Sequence, residues 1–176
     1  MTRVRISMFG ATVVLGLIAM GCSSDKSTTT SPTTSQAGIS VTTVAGGTAV
    51  QVVAGDATGL NGPMTLVSTP ATVPAGNVTF TVKNTGTIDH EMIVLKTDTP
   101  FDQLPVVDAG DPPAPVATGA DKVDEATSVG ETGEPNIKAG ETRTFTIENM
   151  EPGKYALVCN IAKHYGMGMR AAFTVG

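Results

Sequence analysis

Cys159-Asn160-Ile161-Ala162-Lys163-His164-Tyr165-Gly166-Met167-Gly168-Met169 places a thiol, an imidazole and a thioether on one short loop, with four residues between each donor and the next. Before the loop, Tyr155, Leu157 and Cys159 share one parity; after it, so do Ala171, Phe173 and Val175. Alternation of this kind is the mark of strands, because successive side chains of an extended chain point to opposite faces. The loop therefore joins the last two strands of a sheet, and the thiol ends a strand on the side of two core-sized residues.

Working outward, the same alternation recurs. Val78, Phe80 and Val82 alternate with Thr79, Thr81 and Lys83, and Arg143, Phe145 and Ile147 alternate with Thr144 and Thr146. Thr48 to Val53 and, more weakly, Pro63 to Ser68 read as earlier strands. His90, Met92 and Val94 share a parity while Ile93 and Leu95 take the other, which turns His90 inward at the head of a strand with two apolar faces. Short strands separated by Gly, Pro and Asn predict an all-β sandwich or barrel.

Residues 97–139 break the pattern. They hold six of the 11 prolines, and nine acidic residues against two lysines, a net of −7. Thr99 and Pro100 suggest the start of a short helix. The plain reading is an irregular, solvated acidic insertion; the sharper one is a docking face for a basic partner, since a one-signed patch steers encounter.

The donor types carry the chemistry. Thiolate and thioether suit Cu(I), imidazole suits both copper oxidation states, and two His with one Cys and a weak axial Met favour copper that cycles between them. The chain has only two histidines, His90 and His164. Met167 competes with Met169 for the axial place. Zinc is the rival ion, with Asp89 or Glu91 as its carboxylate. A purely structural reading, in which the Cys, His and Met are coincidental in a surface sandwich, also remains.

In this C-x4-H-x4-M loop, with Gly168 before Met169 and a His far upstream, the chain resembles the cupredoxins, the blue copper proteins such as rusticyanin, plastocyanin and azurin. The resemblance spans residues 48–176 in strand pattern and is specific at His90 and 159–169. It implies a Greek-key β-sandwich or barrel, one type 1 copper ion held by His90, Cys159, His164 and Met169, and one-electron transfer with redox partner proteins. Copper buffering or delivery is the alternative. Such a loop leaves the edge of His164 near the surface, ringed by Ala162, Tyr165, Gly166 and Met167, as an electron port. In cupredoxins the residue after the upstream His often helps hold the thiolate. Here it is Glu91, which when ionised can donate only through its backbone N–H.

The N-terminus reads as an export signal over 1–21: Arg3 and Arg5 precede an apolar run from Ile6 to Met20 that is short for a membrane span. It ends in A-M-G-C, which resembles a bacterial lipobox and implies that Cys22 is diacylated, anchoring an exported protein to the membrane. An ordinary signal peptide is the competing reading. Lipidation of Cys22 leaves Cys159 as the one free thiol; a Cys22 to Cys159 disulfide or an inert buried thiol are the other readings. Residues 22–47 are rich in Ser and Thr and read as a tether, with a reach on the order of 25 to 30 Å.

Several functions are excluded by what is missing. No nucleophile and base pair, phosphate loop or basic stripe is present, so neither an enzyme nor a nucleic-acid binder is expected. The net charge of −5 becomes −7 once Arg3 and Arg5 leave with the signal, and a monomer is expected.

Overall fold

β5 (Gly76–Asn84) sets the pattern for the structure. Its Val78, Phe80 and Val82 are fully buried, while Thr79 and Thr81 point outward and meet Thr146 and Thr144 of the neighbouring strand, Oγ1 to Oγ1 at 2.9 and 3.2 Å. Cross-strand pairs of this kind are worth a few tenths of a kcal/mol to about 1 each. The structure, a computed structural model, describes residues 43–44, 46–108 and 121–176. These belong to one compact unit, Ala37–Gly176; the signal (1–21), Cys22, most of the tether and Asp111 lie outside the described residues.

Two sheets face each other. The first contains β1 (Thr43–Val44), β2 (Gly47–Asp56), β3 (Met64–Thr69), β5 and β10 (Thr142–Met150), in the order β1-β2-β5-β10 with β3 also on β2. The second runs β4 (Thr72–Val73), β12 (Arg170–Val175), β11 (Gly153–Val158), β6 (Ile93–Lys96), β9 (Ser128–Glu131). The β2–β5 and β4–β12 pairs are parallel and the rest antiparallel. No α-helix occurs among the described residues. The expected all-β sandwich is therefore present, and β1 shows that strand structure begins within the stretch read as tether.

Between the sheets, the ring of Phe80 stacks on Phe145 at 5.4 Å and meets Phe173 of the opposite sheet at 5.3 Å. Truncating so buried a Phe to Ala costs about 3–5 kcal/mol. Met92, Val94, Tyr155, Leu157 and Cys159 join this core.

The acidic segment differs from the expected solvated excursion. β7 (Val106–Asp108) and β8 (Asp121–Val123) form a hairpin, and Leu104, Val106 and Val123 pack on Ile93, Leu95, Ala156, Val158 and Tyr165 in a second core. β9 extends the second sheet. The apolar second face of β6 and β11 is thus covered by the acidic segment. No helix starts at Thr99. A turn closes instead, Gln103 N–H donating to Pro100 O at 2.8 Å, because Pro105 disfavours helical backbone at Leu104, whose side chain is drawn into the second core.

Candidate metal centre

Strand register brings the donors to one end of the sandwich. Val158 pairs with Ile93 of β6 on one side and with Arg170 of β12 on the other. Cys159 follows Val158, Met169 precedes Arg170, and His90 lies three residues before Ile93, so three distant stretches emerge together. The loop is closed by backbone bonds: Cys159 N–H donates to Met169 O, and Met169 N–H to His164 O, each at 3.0 Å. Gly168 has φ +105, and a Cβ there would lie 2.9 Å from Met64 O. Only glycine lets β3 come this close, where Met64 N–H donates to Met167 O at 2.9 Å.

His90, Cys159 and His164 converge, with one ligand atom from each lying within 4.8 Å of the others. His90 Nδ1 is 3.3 Å from His164 Nδ1, and Cys159 Sγ is 3.3 Å from the same nitrogen. All three side chains are buried. Met169 is fully buried in the same core cluster as Cys159, whereas Met167 is only half-buried. Among the described residues no carboxylate joins the group, so neither Asp89 nor Glu91 completes a zinc-type set. Two imidazoles and a thiol, with a buried thioether beside them, fit copper better than zinc.

Burial pushes the Cys159 thiol up to about 12, opposed by backbone N–H groups of Glu91 and Ile161. The Glu91 N–H donates to Sγ at 3.4 Å, the one way the sequence allowed Glu91 to serve the sulfur. Burial also lowers His164 to about 4, with His90 adding to the shift, and burial holds His90 below the usual imidazole range. Both imidazoles are therefore neutral at neutral pH, and the thiol must lose its proton to an incoming ion.

His90 is fixed from two sides. Its backbone forms an isolated antiparallel bridge with Ile137, at 3.0 and 2.8 Å. Its Nε2 meets Asp56 Oδ2 at 2.9 Å, both side chains fully buried. Asp56 carries no signal in the sequence, since it lies at the end of β2 and meets His90 only through the parallel pairing of β2 with β5.

Tyr165 corrects the expected rim. It is fully buried and faces the second core; its hydroxyl donates to Phe101 O at 3.0 Å and accepts from Leu104 N–H at 2.9 Å. His164 is 2% exposed, and Ile161, Ala162, Gly166, Met167 and Gly168 are the half-buried residues of its loop.

The family model described as the sulfocyanin (SoxE) domain matches residues 41–176. No curated protein sequence matches the chain. Among solved structures, the chain is similar to dithionite-reduced auracyanin from Roseiflexus castenholzii, at 23% identity and TM-score 0.49, covering 79% of this chain and 99% of that one. It is also similar to auracyanin A, a "blue" copper protein from Chloroflexus aurantiacus, at 21% identity and TM-score 0.48, covering 73% and 99%. A third is rusticyanin from Thiobacillus ferrooxidans, at 23% identity and TM-score 0.44, covering 73% and 77%.

Proposed function

Since this chain belongs to the sulfocyanin (SoxE) family of cupredoxins, we propose that it is an exported, lipid-anchored type 1 copper protein that carries one electron at a time between redox partners. The cofactor is one copper ion, which supplies the exchange between Cu(II) and Cu(I). The carrying observation is the convergence of the buried His90, Cys159 and His164 within 4.8 Å at one end of the sandwich.

In this reading His90 Nδ1, His164 Nδ1, Cys159 Sγ and the thioether of Met169 would hold the ion. The burial of Met169 and its backbone bonds to both loop ligands support it over Met167. The Glu91 N–H at the sulfur favours thiolate over thiol once a metal is bound. Held by these four protein donors, the ion would have no open position for a substrate, which supports a carrier rather than an enzyme. The neutral imidazoles need shed no proton to bind the ion.

Electrons enter and leave through the edge of His164, past Ile161, Ala162, Gly166 and Met167. Export and anchoring rest on the signal-like residues 1–21 and on Cys22 as the lipidated residue. No helix among the described residues is long and apolar enough to cross a membrane, and a lipid on Cys22 would supply the attachment.

The test separates a carrier from a copper-delivery protein. Copper-loaded protein is reduced and challenged with a Cu(I) chelator, then reoxidised. A carrier keeps its metal through repeated cycles and regains its Cu(II) spectrum. Loss of copper to the chelator in the reduced state alone would assign delivery instead.

A further inference from the structure

The carboxylate of Asp56 receives an unusual number of donors. Oδ1 accepts from Gly59 N–H at 2.7 Å and Thr87 Oγ1–H at 2.5 Å; Oδ2 accepts from Thr87 N–H at 2.8 Å, Ile88 N–H at 3.4 Å and His90 Nε2 at 2.9 Å. Three of these donors are backbone N–H groups, which can only donate, and between them they engage both oxygens, the arrangement of a carboxylate rather than a carboxylic acid. An ionised carboxylate can only accept, so His90 Nε2 must carry the proton. In a neutral imidazole that leaves Nδ1 with its lone pair, and Nδ1 is the nitrogen that faces His164 and Cys159.

The approach is built into the backbone. Ala54 pairs with Asn84 in parallel register, and Thr85 N–H donates to Ala54 O at 2.8 Å, so the end of β2 runs beside the loop after β5. A Cβ on Gly86 would lie 1.9 Å from Asp56 Oδ2 and 2.8 Å from His90 Nε2. Any side chain at position 86 would force the pair apart. The carboxamide of Asn84 holds the same loop, donating to Ile88 O and Ile137 O and accepting from Gly86 N–H, each at 2.8 Å.

We propose that Asp56 is a positioning residue of the metal centre: its buried carboxylate locks His90 in the Nε2–H tautomer with Nδ1 aimed at the ion, and its charge favours Cu(II) over Cu(I). The second half rests on the copper reading above; the first does not. The physical reason is that a carboxylate bonded to the far nitrogen makes a ligating imidazole more basic. A fixed negative charge in a low-dielectric setting also stabilises the state with one more positive charge. Gly86 is the residue that makes this contact attainable.

Two variants of the full-length protein separate positioning from folding. Asp56→Asn removes the charge; Gly86→Ala keeps the charge and pushes the pair apart. Each is compared with the unaltered protein by reduction potential and, without metal, by ¹⁵N NMR of the His90 ring. Asp56→Asn is expected to favour Cu(I) by tenfold or more, a positive shift of about 59 mV for one electron, with Gly86→Ala moving in the same direction. The ¹⁵N spectrum of the unaltered protein should show His90 protonated at Nε2, with that tautomer depleted in both variants. A merely structural Asp56 would lower the melting temperature while the potential of the folded fraction stayed within twofold of the original balance, and that result overturns the proposal. So does a His90 proton on Nδ1. If the unaltered protein binds no copper, the copper reading fails, and the tautomer measurement alone decides the positioning role.

Discussion

The side chain of Asn160, next to the thiol, is turned onto Val123 of β8: its Oδ1 accepts from Val123 N–H at 2.7 Å and its Nδ2 donates to Val123 O at 3.0 Å. The same Nδ2 reaches Glu125 Oε1 at 2.6 Å. The residue following one ligand is thus a latch for the acidic segment. Asn160→Ala leaves a buried N–H and C=O without partners, at a cost of about 2–4 kcal/mol. Urea unfolding of the metal-free protein checks this; a midpoint unchanged within error would contradict it.

Tyr165 is the matching latch after His164. Tyr165→Phe keeps the ring, and with it the Arg170 guanidinium stacked 4.9 Å from its centroid, but strips the hydroxyl from Phe101 O and Leu104 N–H. The expected loss is about 1–3 kcal/mol, with the copper absorption band kept in position because the ring still fills the second core. Thermal unfolding and the visible spectrum of the same sample measure both halves of that statement.

Copper affinity should rise with pH. Burial pushes the Cys159 thiol up to about 12, so at any lower pH the metal must displace one proton, and apparent affinity gains tenfold per pH unit. His164, lowered to about 4 by burial and by His90, stays neutral above that pH and steepens the dependence only below it. Competition titrations between pH 5 and 8, corrected for the competitor's own protonation, should show a change of about 1000-fold. A flat profile would mean the thiol is not a ligand.

The acidic segment covers the second core, yet many of its acids remain outside. Asp98, Asp102, Glu131 and Glu134 are exposed. Replacing these four with amides should slow electron transfer with a basic partner at low ionic strength. It should also flatten the salt dependence of the rate, because exposed charges act over about 10 Å at 0.1 M salt. An unchanged salt dependence would leave the segment a structural role only.

The centre was legible in the sequence where its parts are contiguous. Cys159, His164 and Met169 share one loop, and the alternation of Tyr155, Leu157 and Cys159 placed that loop at the end of a hairpin. His90 followed from scarcity, as the only other histidine. Asp56 did not follow from anything local: 34 residues separate it from His90, and only the parallel β2–β5 register joins them. The cover over the second sheet was half visible. Ile93 and Leu95 announced a second apolar face, but the residues that bury it, Leu104, Val106 and Val123, sit among prolines without alternation. The inward turn of Tyr165 is not legible, because side-chain direction within a loop has no period to read.

The most direct measurement is the visible absorption of the full-length protein on addition of Cu(II), beside Cys159→Ser. A type 1 centre predicts an intense thiolate-to-copper band, saturating at one copper per chain and absent from the serine variant. No such band, or one that survives the loss of the thiol, would contradict the assignment.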